Sequence, residues 1–118
     1  MTIEPVEGFN EKLKSFRKRY PKEVSVLFQN LRRYIKAIEG LSDIKSFRAG
    51  YLHPEGNGVV AIGQSSADKK LGSLAETRLY IHVRIRNDTV FLLTIGNKQS
   101  QQKDIQTSKK HISELKRK

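Results

Sequence analysis

The sequence has no cysteine, so it can form neither a disulfide bond nor a thiolate metal site. It also has no apolar run that approaches the roughly 20 residues needed to span a membrane. The first eight residues lack the basic and then apolar order of a signal peptide. These absences predict a soluble, cytoplasmic protein, and the length of 118 residues predicts a single domain over residues 1–118.

Familiar catalytic motifs are also missing. The chain has three histidines, His53, His82 and His111, and none stands in the H-E-x-x-H spacing of a zinc hydrolase. The pair Gly56 and Gly58 lacks the longer pattern and the following helix of a phosphate-binding loop. We therefore expect neither a bound metal nor a cofactor.

Acidic residues are scarce relative to basic ones. Lys and Arg total 23 against 12 Asp and Glu, which gives a formal charge of +11 at pH 7. Such an excess favours a polyanionic partner, because phosphate contacts release counterions. An acidic membrane surface, an acidic protein or a solvated surface without a ligand are the alternatives, and nucleic acid is favoured over them.

Apolar residues at helical spacing predict two helices near the N-terminus, over residues 9–20 and 22–39. Pro21 ends the first helix and opens the second, where its missing N–H costs nothing. The connection is so short that we expect an antiparallel helical hairpin. A third helix is predicted over residues 101–115.

Between these helices the apolar period changes to two, which predicts strands over residues 45–51, 59–62, 78–86 and 89–95. We expect residues 53–58 to form a turn. The order predicts an α+β domain, with the helical hairpin packed on a small, mostly antiparallel sheet of three to four strands and a C-terminal helix. All helices are expected on one side of the sheet.

The strand over residues 78–86 has two faces of different chemistry. Its aliphatic residues should face the hairpin; they are Leu79, Ile81, Val83 and Ile85. The other face then carries Arg78, Tyr80, His82, Arg84 and Arg86. Arginine binds phosphate in a bidentate manner, and tyrosine and histidine stack on unpaired bases. This face predicts binding of single-stranded RNA.

Metal-free cleavage of RNA needs a base for the 2′-OH, cations for the transition state and an acid for the leaving oxygen. His82 is a candidate for proton transfer, or an ordinary strand histidine. His53 is either a second proton-transfer group or a turn residue. Further basic residues that would track phosphate, or are merely solvated, are Arg48, Lys69, Lys70, Arg84 and Arg86.

Three stretches, 76–80, 90–95 and 96–105, resemble the RelE/HigB toxins of type II toxin–antitoxin systems. In that superfamily an arginine-bearing strand is followed by an apolar strand. A stretch of the type G-x-K-x-[ST]-Q-x-x-D-I then leads into a C-terminal helix, as Gly96-Asn97-Lys98-Gln99-Ser100-Gln101-Gln102-Lys103-Asp104-Ile105 does here.

The resemblance implies a RelE-like fold and an endoribonuclease that cuts mRNA on the ribosome by 2′-OH attack, without metal, and that an antitoxin protein neutralises. Arg78 would stabilise the transition state, and Lys98 would be a second cation. Lys103 would lie beside them with Gln101 and Asp104. Relatives of the ParE branch inhibit DNA gyrase without nuclease activity. A non-enzymatic ParE-like inhibitor or a plain RNA-binding module is therefore the alternative.

Overall fold

Eight regular elements make up the described part of the chain, residues 1–64 and 76–116 of a computed structural model. In chain order they are β1 (Thr2–Pro5), α1 (Phe9–Arg19), α2 (Pro21–Ile38), β2 (Leu52–Gly56), β3 (Val59–Ile62), β4 (Thr77–Arg84), β5 (Thr89–Asn97) and α3 (Gln101–Lys116). The predicted α+β class is confirmed. None of the described helices has the length and apolar character to cross a membrane.

The strands form one mixed sheet in the order β1-β5-β4-β3-β2. Strand β1 lies parallel to β5, and the other neighbouring pairs are antiparallel. The prediction of three to four strands was wrong because β1 is short and contains Pro5, so no apolar alternation marks it. The predicted strand over 45–51 was also wrong. A 3₁₀ turn, Ile44–Ser46, opens that segment, and β2 begins only at Leu52.

One face of the sheet packs on α2. Leu27 and Leu31 of α2 are fully buried with Leu79 and Ile81 of β4 in one apolar cluster. The aliphatic side of β4 therefore meets a helix of the N-terminal pair, as predicted. Ile85 does not, because β4 ends at Arg84 and a 3₁₀ turn leaves the Ile85 side chain half exposed.

The opposite face packs on α3. Tyr80 of β4 and Leu93 of β5 are buried in a second cluster with Ile112 of α3. Neighbouring β4 residues belong to different clusters, so α2 and α3 cover opposite faces of the sheet. The expectation that all helices lie on one side was therefore wrong. Alternation shows that a strand has two faces but not that a later helix covers the second one.

Helix α1 packs mainly on β5, whereas α2 contacts β4 and β3. The predicted break at Pro21 is confirmed, since α1 ends at Arg19 and α2 begins at the proline. Because α1 lies beside β5, its polar side chains come close to the beginning of α3. This arrangement brings Lys12 of α1 to Asp104 of α3.

Candidate functional site

The segment that joins β5 to α3 is held by its own side chains. A 3₁₀ turn, Lys98–Ser100, follows β5 directly. The Asn97 side chain accepts hydrogen bonds from the backbone N–H groups of Gln99, at 2.9 Å, and Ser100, at 3.2 Å. The Ser100 hydroxyl in turn accepts from the Asn97 N–H at 3.2 Å. This reciprocal pair is a capping box, and it fixes the direction in which α3 leaves the sheet.

Asp104, in the first turn of α3, lies buried at the centre of a polar cluster. Its carboxylate accepts a hydrogen bond from the Ser100 hydroxyl at 2.6 Å. The Lys12 ammonium of α1 lies 3.2 Å from the other carboxylate oxygen. The same ammonium donates to the Thr94 hydroxyl of β5 at 2.6 Å. A buried carboxylate needs such partners, and here they connect α1, β5 and α3.

Gly96 of β5 makes this cluster possible. A Cβ atom at this position would lie 1.9 Å from Asp104 Oδ2 and 2.5 Å from Ser100 Oγ. Atoms cannot approach that closely, so any larger residue would push the carboxylate off the strand. Packing against Asp104 and Ser100 thus explains why this position is a glycine, without any role in binding a ligand.

Arg78 projects from β4 beside this cluster. It stands opposite Gly96 in the register of the sheet, and its guanidinium donates to Gln101 Oε1 of α3 at 2.6 Å. This hydrogen bond holds the guanidinium in place at the end of the sheet. The side chain is only partly buried, so it stays accessible to a ligand. An arginine fixed in this way presents donors to an anion with less loss of side-chain entropy.

Two exposed lysines lie in the segment that follows β5 at that end of the sheet. Lys98 is 71% exposed, and its ammonium lies 3.9 Å from the Glu76 carboxylate. Lys103 is exposed in the first turn of α3. The structure therefore brings Arg78, Lys98 and Lys103 to one end of the molecule, and we call these three residues the strand-end cations.

The prediction that Tyr80 stacks on a base was wrong. Its ring is fully buried under α3 and cannot reach a base in this conformation. Among the described residues, its hydroxyl is the buried side-chain group that lacks a hydrogen-bond partner. Burial and the nearby Asp104 carboxylate raise the pKa of Tyr80 to about 12, although the Arg78 charge opposes them. The phenol therefore stays protonated at neutral pH.

His82 lies farther along β4 and is engaged with the β2–β3 turn. Its Nδ1 lies 2.8 Å from the Gly58 carbonyl oxygen, and its ring stacks on Phe91 with centroids 6.4 Å apart. Burial lowers the pKa of His82, and the charges of Arg84 and Lys116 lower it further. Three residues of strand lie between His82 and Arg78, which puts their Cα atoms about 13 Å apart, with buried Tyr80 in between. The two are not brought together.

The remaining candidates are dispersed. The Arg84 guanidinium lies over the Phe91 ring at 5.5 Å, and Arg86 is exposed in the 3₁₀ turn after β4. His53 is exposed on β2, at the sheet edge away from β5. Arg48 donates to the carbonyls of its own turn, at 2.5 Å for Lys45 and 3.0 Å for Phe47.

Lys69 and Lys70 fall outside the described residues. Within residues 1–64 and 76–116, no group of three histidine, aspartate or glutamate side chains is arranged to hold a metal ion.

Comparison of this chain with models of known protein families, with curated proteins and with solved structures found no match in any of the three. The resemblance to RelE/HigB toxins therefore stays a prediction, and the roles of the site residues rest on their geometry. Lys12, Thr94 and Ser100 were not predicted as site residues. Lys12 and Asp104 are 92 residues apart in the sequence, and they meet because α1 and α3 both pack against β5.

We predict that Gly96→Ala destabilises the protein by about 2–4 kcal/mol, because the added methyl group displaces the buried Asp104 carboxylate. Chemical denaturation measures the free energy of unfolding. Gly63→Ala is the matched control, since its Cβ would meet no atom closer than 3.5 Å. Equal effects at the two glycines would contradict the packing role of Gly96.

We predict that His82 makes the fold less stable in acid. Its folded pKa lies below the unfolded value of about 6.5, so the unfolded chain binds more protons as the pH falls through that value. The His82 contribution to stability is present above this pH and is lost below it. Unfolding free energies measured between about pH 7 and pH 5 should fall less in His82→Gln than in the wild type. Equal pH dependence in both proteins would refute this role.

Proposed function

We propose that the protein is a RelE/HigB-like toxin, an endoribonuclease that cuts mRNA on the ribosome by 2′-OH attack and that a cognate antitoxin neutralises. The observation that supports this best is the position of Arg78. The Arg78 guanidinium is partly exposed, and a hydrogen bond to Gln101 fixes its orientation. Two exposed lysines, Lys98 and Lys103, lie at the same end of the molecule. The net charge of +11 adds a general attraction to RNA.

In this proposal the strand-end cations hold the scissile phosphate. Arg78 would bind two of its oxygens and stabilise the negative charge that develops as the 2′-OH attacks. Lys98 is free to move toward the phosphate, because its contact with Glu76 is long and exposed. Asp104 is a poor general base, since it is buried and already accepts from Lys12 and Ser100.

The site has fewer candidates for proton transfer than for binding the phosphate. Exposed Lys98 lies near Arg78, and His53 lies on the far edge strand. His82 is held by the Gly58 carbonyl and separated from Arg78 by buried Tyr80. Catalysis would therefore depend mainly on charge stabilisation and on the orientation of the RNA in the ribosome.

We predict that Arg78→Ala lowers the rate of mRNA cleavage by about 10²–10³-fold, the usual cost of removing one group that stabilises the transition state. The assay follows a defined mRNA in a translation extract with purified protein. Arg86→Ala removes the same charge from an exposed turn at the other end of β4, and it should change the rate by only a few fold. Cleavage unaffected by Arg78→Ala, or absent in the wild type with ribosomes present, would overturn the proposal.

The second candidate is a non-enzymatic protein, either an RNA-binding module or a ParE-like inhibitor of gyrase. The separation of His82 from Arg78 favours it, because that histidine does not stand beside the guanidinium. It predicts growth arrest with intact mRNA, or salt-sensitive RNA binding without cleavage products. The same extract assay, read for binding as well as for products, distinguishes the two.

A further inference from the structure

A groove with acidic walls lies between β1 and the C-terminal half of α3. Four apolar residues line it, and the three that are less exposed than Pro5 form its floor: Val6, Phe91 and Leu115. Three carboxylates form its rim: Glu4 and Glu7 from the N-terminal segment and Glu114 from α3. Floor and rim come from three separate parts of the chain, so the groove is a product of the fold and not of a local acidic run.

The charge of this groove opposes that of the rest of the protein. The chain carries +11 overall, yet none of the described residues that line the groove is a lysine or an arginine. The Arg84 guanidinium borders the floor, 5.5 Å from the centroid of the Phe91 ring. Glu114 lies 3.8 Å from His111, and within the described residues Glu4 and Glu7 have no ion pair. Three carboxylates in one groove of a protein that carries +11 make a locally acidic surface. A cationic ligand would find complementary charge there.

The groove is also open at the edge of the sheet. Strand β1 is an outer strand, and all four of its residues are exposed. Its backbone pairs with β5 on one side, and in the described sheet no strand covers the other. A partner can therefore approach the groove without displacing a described strand of the sheet.

We propose that this groove binds a cationic segment of a partner protein, one in which lysine or arginine flanks an apolar anchor. The anchor would cover Val6, Phe91 and Leu115, and the cations would pair with the carboxylates of the rim. RNA is excluded as the occupant, because its phosphates would meet the negative rim. The proposal concerns a protein partner and does not depend on RNA binding or cleavage.

The test uses a short synthetic peptide in which leucine and arginine alternate, with binding to the full-length protein measured by fluorescence anisotropy. A peptide of this charge is repelled by the protein as a whole, so specific binding requires a locally negative surface. We expect Glu4→Lys and Glu114→Lys each to weaken binding by about tenfold or more. Both positions are exposed, so the fold should tolerate the change.

Glu39→Lys is the matched control, because it makes the same change in net charge at an exposed residue that follows α2. It should leave the affinity for the peptide within a few fold of the wild type. Equal weakening by all three reversals would show that only net charge matters, and it would overturn the proposal. So would absence of binding to the wild type, or equally tight binding of the peptide with glutamate in place of arginine.

Discussion

The buried carboxylate of Asp104 is the interaction on which the arrangement of this molecule depends. Helix α3 buries few apolar residues, so its position on the sheet relies on polar contacts at its first turn. Lys12 and Ser100 neutralise and hold the carboxylate, and Gly96 leaves the space that it occupies. The same docking brings Gln101 to Arg78 and buries Tyr80. The candidate site is thus a consequence of how α3 is attached.

The fold was predictable where local pattern and tertiary environment agree. The helical period of α2, the break at Pro21 and the aliphatic face with Leu79 and Ile81 are all present in the structure. The pattern could not reveal β1, because its partner strand β5 is distant in sequence and parallel. Nor could it place α3 on the second face, since an alternating strand looks the same whether its polar side faces water or a helix.

The neighbourhood of Arg78 and the segment after β5 could be predicted from the sequence, whereas Lys12 and Thr94 could not be placed there. The segment from Gly96 to Asp104 stands out in the sequence as a polar strand end, and it does lie beside Arg78. Its glycine, serine and aspartate are explained by packing against the sheet, not by binding an anion. Tyr80 alternates with Leu79 and so counts as an outward residue in sequence, yet it is buried. Side-chain roles of this kind depend on contacts between residues far apart in the chain.

A double-mutant cycle between Lys12 and Asp104 tests whether this buried contact attaches α3 to the rest of the molecule. Unfolding free energies of Lys12→Met, Asp104→Asn and the double variant give the coupling between the two side chains. Asp104 is buried and Lys12 is half exposed, so we expect a favourable coupling of about 1–3 kcal/mol. The amides of α3 should also exchange faster with solvent in each single variant. Additive effects within about 0.5 kcal/mol, with unchanged exchange in α3, would contradict the account.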